Sequence, residues 1–213
     1  MLSANEMNRE KYDELSERVG DQEIDRWYIK SQEVFRKQSV QTEDDFIKLV
    51  AFAYSWMPTI PEWRGELDWN TCSKALEDLK KGNLTVRKEL LRLTVPCINN
   101  SIVGASKVLH FACPDRVPII DSNVVIGWRA LFFPLGVRRQ SSNEMAALPV
   151  DFGAYGSNEE KRNRHIDLYV KYWDNLLSWC GVLGDVSIRD IETKIYILGK
   201  QISEEVKQAN QVS

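Results

Sequence analysis

The chain reads as an all-α protein, and three observations predict it. Apolar residues recur at helical spacing over several long stretches, no stretch alternates apolar and polar for more than a few residues, and no Asn-Gly or Asp-Gly turn joins two hydrophobic runs. At 213 residues, 43% apolar and 28% charged, the chain is long enough for one sizeable core and too apolar to stay unfolded. A single compact helical domain is expected, with room for two lobes: about 43–135, and 1–42 together with 158–213, joined by a loop at 136–157.

The elements follow in order. Residues 43–57 place Phe46, Ile47, Leu49, Val50, Phe52, Ala53, Tyr54, Trp56 and Met57 almost all round a cylinder, which predicts a helix buried on most sides and ended by Pro58 and Pro61. A hairpin-like approach, INNSIVG, leads into a short apolar helix, then a proline-bounded loop through Pro114 and Pro118. Asp121 follows Ile120 and precedes Ser122, where an N-cap belongs, and a helix from Ser122 is expected. After the loop, residues 160–183 set Ile166, Tyr169, Trp173, Leu176, Leu177 and Cys180 at helical spacing, closed by Gly181 and Gly184. Ser187 with Asp190 three residues on opens a last helix whose stripe is Ile191, Ile195, Leu198 and Ile202.

Within this frame the stretch from Lys107 to Asp121 puts polar groups where a helical core prefers none. The carboxylate of Asp121 has two readings, as a plain cap, or as an ionised group beside a helix N-terminus that stabilises developing positive charge or activates a water. Lys107 is either a solvated surface lysine or an amine nucleophile, and the second needs a lowered pKa. His110 lies three residues on, along the same helical face, either as a partly buried core histidine or as a group bonded into a site.

INNSIVGASKVLHFACPDRVPIIDSNVVIGW resembles the helix-hairpin-helix and Asp signature of the base-excision DNA glycosylase superfamily, and PIIDSNV is similar to the Asp segment of its adenine glycosylase branch. Together with AYSWMPTI and RDIETKIYILGK, it also resembles an uncharacterised bacterial group described as 8-oxoguanine-glycosylase-like. The resemblance implies a two-lobed helical fold with a degenerate hairpin, Ile102, Val103 and Gly104, that grips phosphates of double-stranded DNA through backbone amides. It also implies a base rotated out of the duplex, and Asp121 assisting cleavage of the bond between sugar and base. In members that also cut the backbone, a lysine attacks the sugar; counted from Gly104 its position falls on Ser106, with Lys107 one place later, and a serine there resembles the pattern of enzymes that only release the base. The hairpin carries one glycine where the motif has two, so its positive-φ turn is harder to make. A flipped base needs a stacking slot, and Trp56 and Met57, with His110, are the expected walls, Trp63 less so.

The net charge of −3 and pI of about 5.6 run against a phosphate-binding protein, so the distribution of charge decides more than its sum. Lys80, Lys81, Arg87, Lys88 and Arg92 precede the hairpin, while Arg138, Arg139, Lys161, Arg162, Arg164 and His165 follow Asp121. Converging, they make a rim for DNA with Arg138 and Arg139 as contacts; scattered, they are solvated faces. Cys72, Cys97, Cys113 and Cys180 form no CxxC pair and read as reduced core thiols, and with only two histidines no metal site and no cofactor are expected. No apolar run approaches the ~20 residues that cross a bilayer, and MLSANEMNREKYDEL is too polar for a signal peptide, so a cytoplasmic location without membrane contact is expected. Three functions remain in competition: a DNA glycosylase, a DNA-binding or damage-recognition protein without cleavage chemistry, and a helical protein-interaction module.

Overall fold

A computed structural model of the chain describes residues 7–20, 26–37, 40–57, 59–132 and 158–212; the loop expected at 136–157, with Arg138 and Arg139, lies outside them. Among the described residues the fold is all-α. The helices are α1 (Arg9–Val19), α2 (Arg26–Lys37), α3 (Glu43–Tyr54), α4 (Trp69–Lys80), α5 (Arg87–Cys97), α6 (Ile102–Ala112), α7 (Ser122–Phe132), α8 (Glu159–Leu183) and α9 (Ile188–Val212), with a 3-10 turn at Leu84–Val86. Extended pairing among these residues is one antiparallel bridge between Trp63 and Ile98. None of these helices is long and apolar enough to cross a membrane.

The chain divides into two compact units. The first takes Met1–Gln22, Ile120–Asp151 and Lys171–Ser213; the second takes Glu23–Ile119 and Phe152–Val170. Helix α8 is a single periodic run that begins in the second unit and ends in the first.

Capping chemistry sets the helix starts. Thr42 and Asp45 form a reciprocal box at α3, with Glu43, Asp44 and Asp45 opposing the positive end of the helix dipole. Ser187 and Asp190 form the same kind of box at α9, where Asp190 Oδ2 accepts from the Ser187 amide at 3.0 Å and Ser187 Oγ accepts from the Asp190 amide at 3.1 Å. Helix α3 differs from its expectation in two ways. It buries one stripe, Phe46, Leu49, Val50 and Ala53, and leaves Ile47 at the surface, so it is a half-buried helix. It also stops at Tyr54, because Ser55, Trp56 and Met57 bond back three residues to Phe52, Ala53 and Tyr54 and tighten the last turn ahead of Pro58.

In the first unit, α7 and α9 meet backbone against backbone. A Cβ added at Gly127 would run into the carbonyl oxygen of Ile195, and one at Gly199 would run into that of Asn123. Two glycines facing each other's helix therefore set the separation. Trp128 lies in the same unit, edge-on to Tyr172 at 5.1 Å and tilted against Phe132 at 4.6 Å. Ile191, Ile195 and Leu198 are all buried from α9, while residues 204–210 of that helix are exposed. In the second unit the core is built by Phe46, Leu49 and Ala53 of α3, Leu76 and Leu79 of α4, Leu90 and Leu91 of α5, and Val108 and Leu109 of α6.

Gly127→Ala and Gly199→Ala should each lower unfolding stability by about 2–3 kcal/mol in urea titrations, because the added methyl meets main chain that cannot rotate away. A second prediction concerns acid. Hydrogen bonds from the Thr42 side chain and Lys48 hold Asp45 below its ordinary pKa, and bonds from the Thr71 side chain and backbone do the same for Asp68. Because the folded values are the lower ones, these groups stabilise the fold above the unfolded carboxylate value of 3.8, and the contribution disappears as pH falls through the folded values. Melting temperature measured from pH 6 down to pH 2 should therefore fall less steeply in Asp45→Asn with Asp68→Asn than in the parent.

Candidate nucleic-acid interface

The turn between α5 and α6, in the second unit, is made by two consecutive left-handed residues, Asn99 at φ 52° and Asn100 at φ 47°. Asparagine tolerates this region better than most non-glycine residues, because its short polar side chain bonds locally. Ser101 then returns to extended backbone and caps α6, its Oγ accepting from the Gly104 amide at 3.3 Å and its carbonyl accepting from the Ala105 amide.

Asn99 is tied to the segment from Ile60 to Arg64. Its amide donates to the Glu62 carbonyl at 3.0 Å, its Oδ1 accepts from the Glu62 amide at 2.5 Å and its Nδ2 donates to the Ile60 carbonyl at 3.2 Å. Asn100 is 4% exposed, and its Oδ1 accepts from the Arg162 guanidinium at 3.2 Å. Arg162 belongs to the basic group that follows Asp121 in sequence, and it is brought under the hairpin. Lys88 of the earlier basic group pairs with Asp167 on α8 at 2.7 Å. The described members of both groups lie in the second unit, where Lys88 is tied to α8 and Arg162 to the turn.

The expected site residues are placed as follows. Ile102 is fully buried and Val103 half-buried. Gly104 is buried against Ile98 and the Tyr54 hydroxyl, with which an added Cβ would collide; burial, and then the Glu62 carboxylate, push the Tyr54 phenol up to about 12. Ser106 is fully buried and donates back to the Val103 carbonyl at 2.9 Å, while Lys107, one position round, is half-buried. His110 is also fully buried. Its Nδ1 lies 2.7 Å from the Val117 carbonyl, so that nitrogen carries the proton, and Nε2 accepts from the Gln32 amide at 3.0 Å. His110 thereby joins α2, α6 and the loop after α6. Asp121, in the first unit, is half-exposed and caps α7, its Oδ1 accepting from the Val124 amide at 3.0 Å.

Trp56 and Met57 are half-buried in the tightened turn after α3. The Trp56 ring lies roughly parallel to Trp27 of α2, with centroids 6.3 Å apart and planes 22° from parallel. Trp27 also leans on Phe52, and Phe52 packs on Phe35 at 4.2 Å and on the buried Phe111 at 5.1 Å, so the pair stands on a partly buried aromatic cluster. Trp27 is the residue that sequence reasoning missed. The signal was present in the Trp27, Lys30, Val34, Lys37 spacing, but aromatic and apolar residues fall on several sides of α2 and hide which face is outward.

Among the described residues no three His, Cys, Asp or Glu side chains converge as a metal site. Cys72, Cys97, Cys113 and Cys180 are free thiols, and burial raises all four, Cys72 to about 12. Compared with known proteins, the chain matches no family model, no curated protein and no solved structure.

The turn yields a test. Asn99→Gly keeps the left-handed backbone and loses the side-chain bonds, whereas Asn99→Ala loses both, so the alanine variant should be the less stable by about 1 kcal/mol in the same denaturant titration.

Proposed function

We propose that this chain is a glycosylase-like DNA-binding protein that hydrolyses the N-glycosidic bond of a base turned out of double-stranded DNA. The observation that supports the reading is the tight turn of Asn99 and Asn100 between α5 and α6, whose left-handed backbone directly precedes the degenerate hairpin residues Ile102, Val103 and Gly104. Further support comes from the order of parts along the chain, a capped helix after the turn and then Asp121 at the cap of α7. In this reading Asp121 supplies a fixed negative charge to a sugar that becomes cationic as the base departs, and water completes the hydrolysis at the sugar carbon. The inward hydroxyl of Ser106 favours base release without a covalent intermediate, which leaves Lys107 as the amine to be tested for strand cleavage. The reading places the protein in the cytoplasm, a reducing compartment that suits its free thiols.

The decisive substitution is Asp121→Asn, because asparagine caps a helix as well as aspartate does and removes only the charge. On a panel of duplexes carrying oxidised, alkylated, deaminated or mismatched bases, the parent should release a base. Asp121→Asn should do so about 100-fold more slowly with unchanged melting temperature. No base release by the parent on any duplex removes the enzymatic reading. A borohydride-trapped adduct lost in Lys107→Ala would assign strand cleavage to that lysine.

A further inference from the structure

The second unit presents a surface that the catalytic reading does not use. On α2, Trp27, Lys30, Val34 and Lys37 follow one another at three- and four-residue spacing and form a single stripe. Trp27 is 60% exposed and Val34 51%, and Lys30, Lys37 and the neighbouring Arg26 are exposed beside them. Isolated exposed apolar residues need no explanation, but a tryptophan that packs on Trp56 and Phe52 and still keeps most of its surface in solvent is an indole held in place at the surface. The opposite face of the helix is fixed. Phe35 packs on Phe52 and Phe111, and Gln32 bonds to the buried His110.

Charge selects the occupant. Among its described side chains helix α2 carries three basic residues, Arg26, Lys30 and Lys37, against one acid, Glu33, which pairs with Lys30 at 2.7 Å. A polyanion with flat apolar parts fits that face. An anionic membrane fits it less well, since membrane-surface helices segregate apolar from basic residues, whereas here Trp27 and Val34 alternate with Lys30 and Lys37 along one line. A nucleic-acid strand alternates in the same sense, base with phosphate. From Trp27 to Lys37 the stripe runs about 15 Å at 1.5 Å per residue, enough for a few nucleotides of a strand.

We propose that the exposed α2 stripe, with Trp27 stacked on Trp56, binds single-stranded nucleic acid by stacking an unpaired base on the Trp27 indole while Arg26, Lys30 and Lys37 hold the adjoining phosphates. This rests on the nucleic-acid reading of the chain and not on its cleavage chemistry. In substrate terms it assigns the protein a preference for DNA with an unpaired stretch next to the duplex.

The test is a fluorescence anisotropy titration of a fluorescein-labelled twelve-nucleotide oligothymidylate with the full chain. Saturable binding is expected, weakening as salt rises, with Trp27→Ala at least ten-fold weaker and Trp27→Phe close to the parent. Lys30→Ala should lower the slope of log affinity against log salt by roughly 0.7. Both positions are exposed, so helical circular dichroism should stay unchanged in each variant. Absence of binding, or equal affinity in Trp27→Ala, overturns the proposal. So does Trp27-dependent sedimentation with phosphatidylserine vesicles without oligonucleotide binding. The two readings fail separately. Trp27-dependent binding without base release from any duplex leaves this surface standing and removes the glycosylase, while base release indifferent to Trp27 with unaltered oligonucleotide affinity does the reverse.

Discussion

Two adjacent residues of left-handed backbone organise the second unit. Without positive φ at Asn99 and Asn100 the chain cannot reverse between α5 and α6 in four residues, and the contacts made across that reversal would have no partners. The reversal sets Asn99 against the main chain of Glu62 and Ile60, and it puts Asn100 where the Arg162 guanidinium can reach it from α8. Two segments distant in sequence are therefore fixed by hydrogen bonds to two side chains of one turn. Both asparagines spend their side chains on holding the turn and their backbones on making it.

The same unit shows how polar groups inside a helical core are satisfied. Ser106 returns its hydroxyl proton to its own helix, and His110 uses both ring nitrogens to tie Val117 and Gln32. Tyr169 donates to the Pro118 carbonyl at 2.5 Å, closing the loop that runs from α6 toward Asp121. Such bonds each contribute about 0.5–1.5 kcal/mol when made, and removing one partner costs about 1–3 kcal/mol.

Much of the architecture was legible in the sequence because its causes are local. Helical period, the Ser187 and Asp190 box, and Asp121 as a cap are properties of a few neighbouring residues, and each is found in place. What was not legible depends on partners far along the chain. Nothing near Ser106 or His110 announces that both are fully buried, since their burial comes from α2, α3 and the loop at Val117. The turn between α5 and α6 was hidden for a similar reason: its left-handed residues are Asn99 and Asn100, ahead of the stretch at 102–104 on which the positive-φ expectation was placed. Trp27 escaped because exposure is decided by which face of α2 finds Phe52 and Phe111, and periodicity alone does not choose among several apolar faces. The unit borders escaped too, since α8 serves both units with one unbroken period.

The glycine pair of the first unit bears on more than local packing. Gly199 lies near the middle of α9, and the helix continues to Val212, about 20 Å further at 1.5 Å per residue. The point where α9 rests on α7 is therefore a fulcrum: a methyl that wedges the two main chains apart by a few degrees swings the exposed arm at 204–210 through an ångström or more, while the buried isoleucines on the other side hold their seats. The bare backbone at 127 and 199 thus governs where a distant, charged helical tip points.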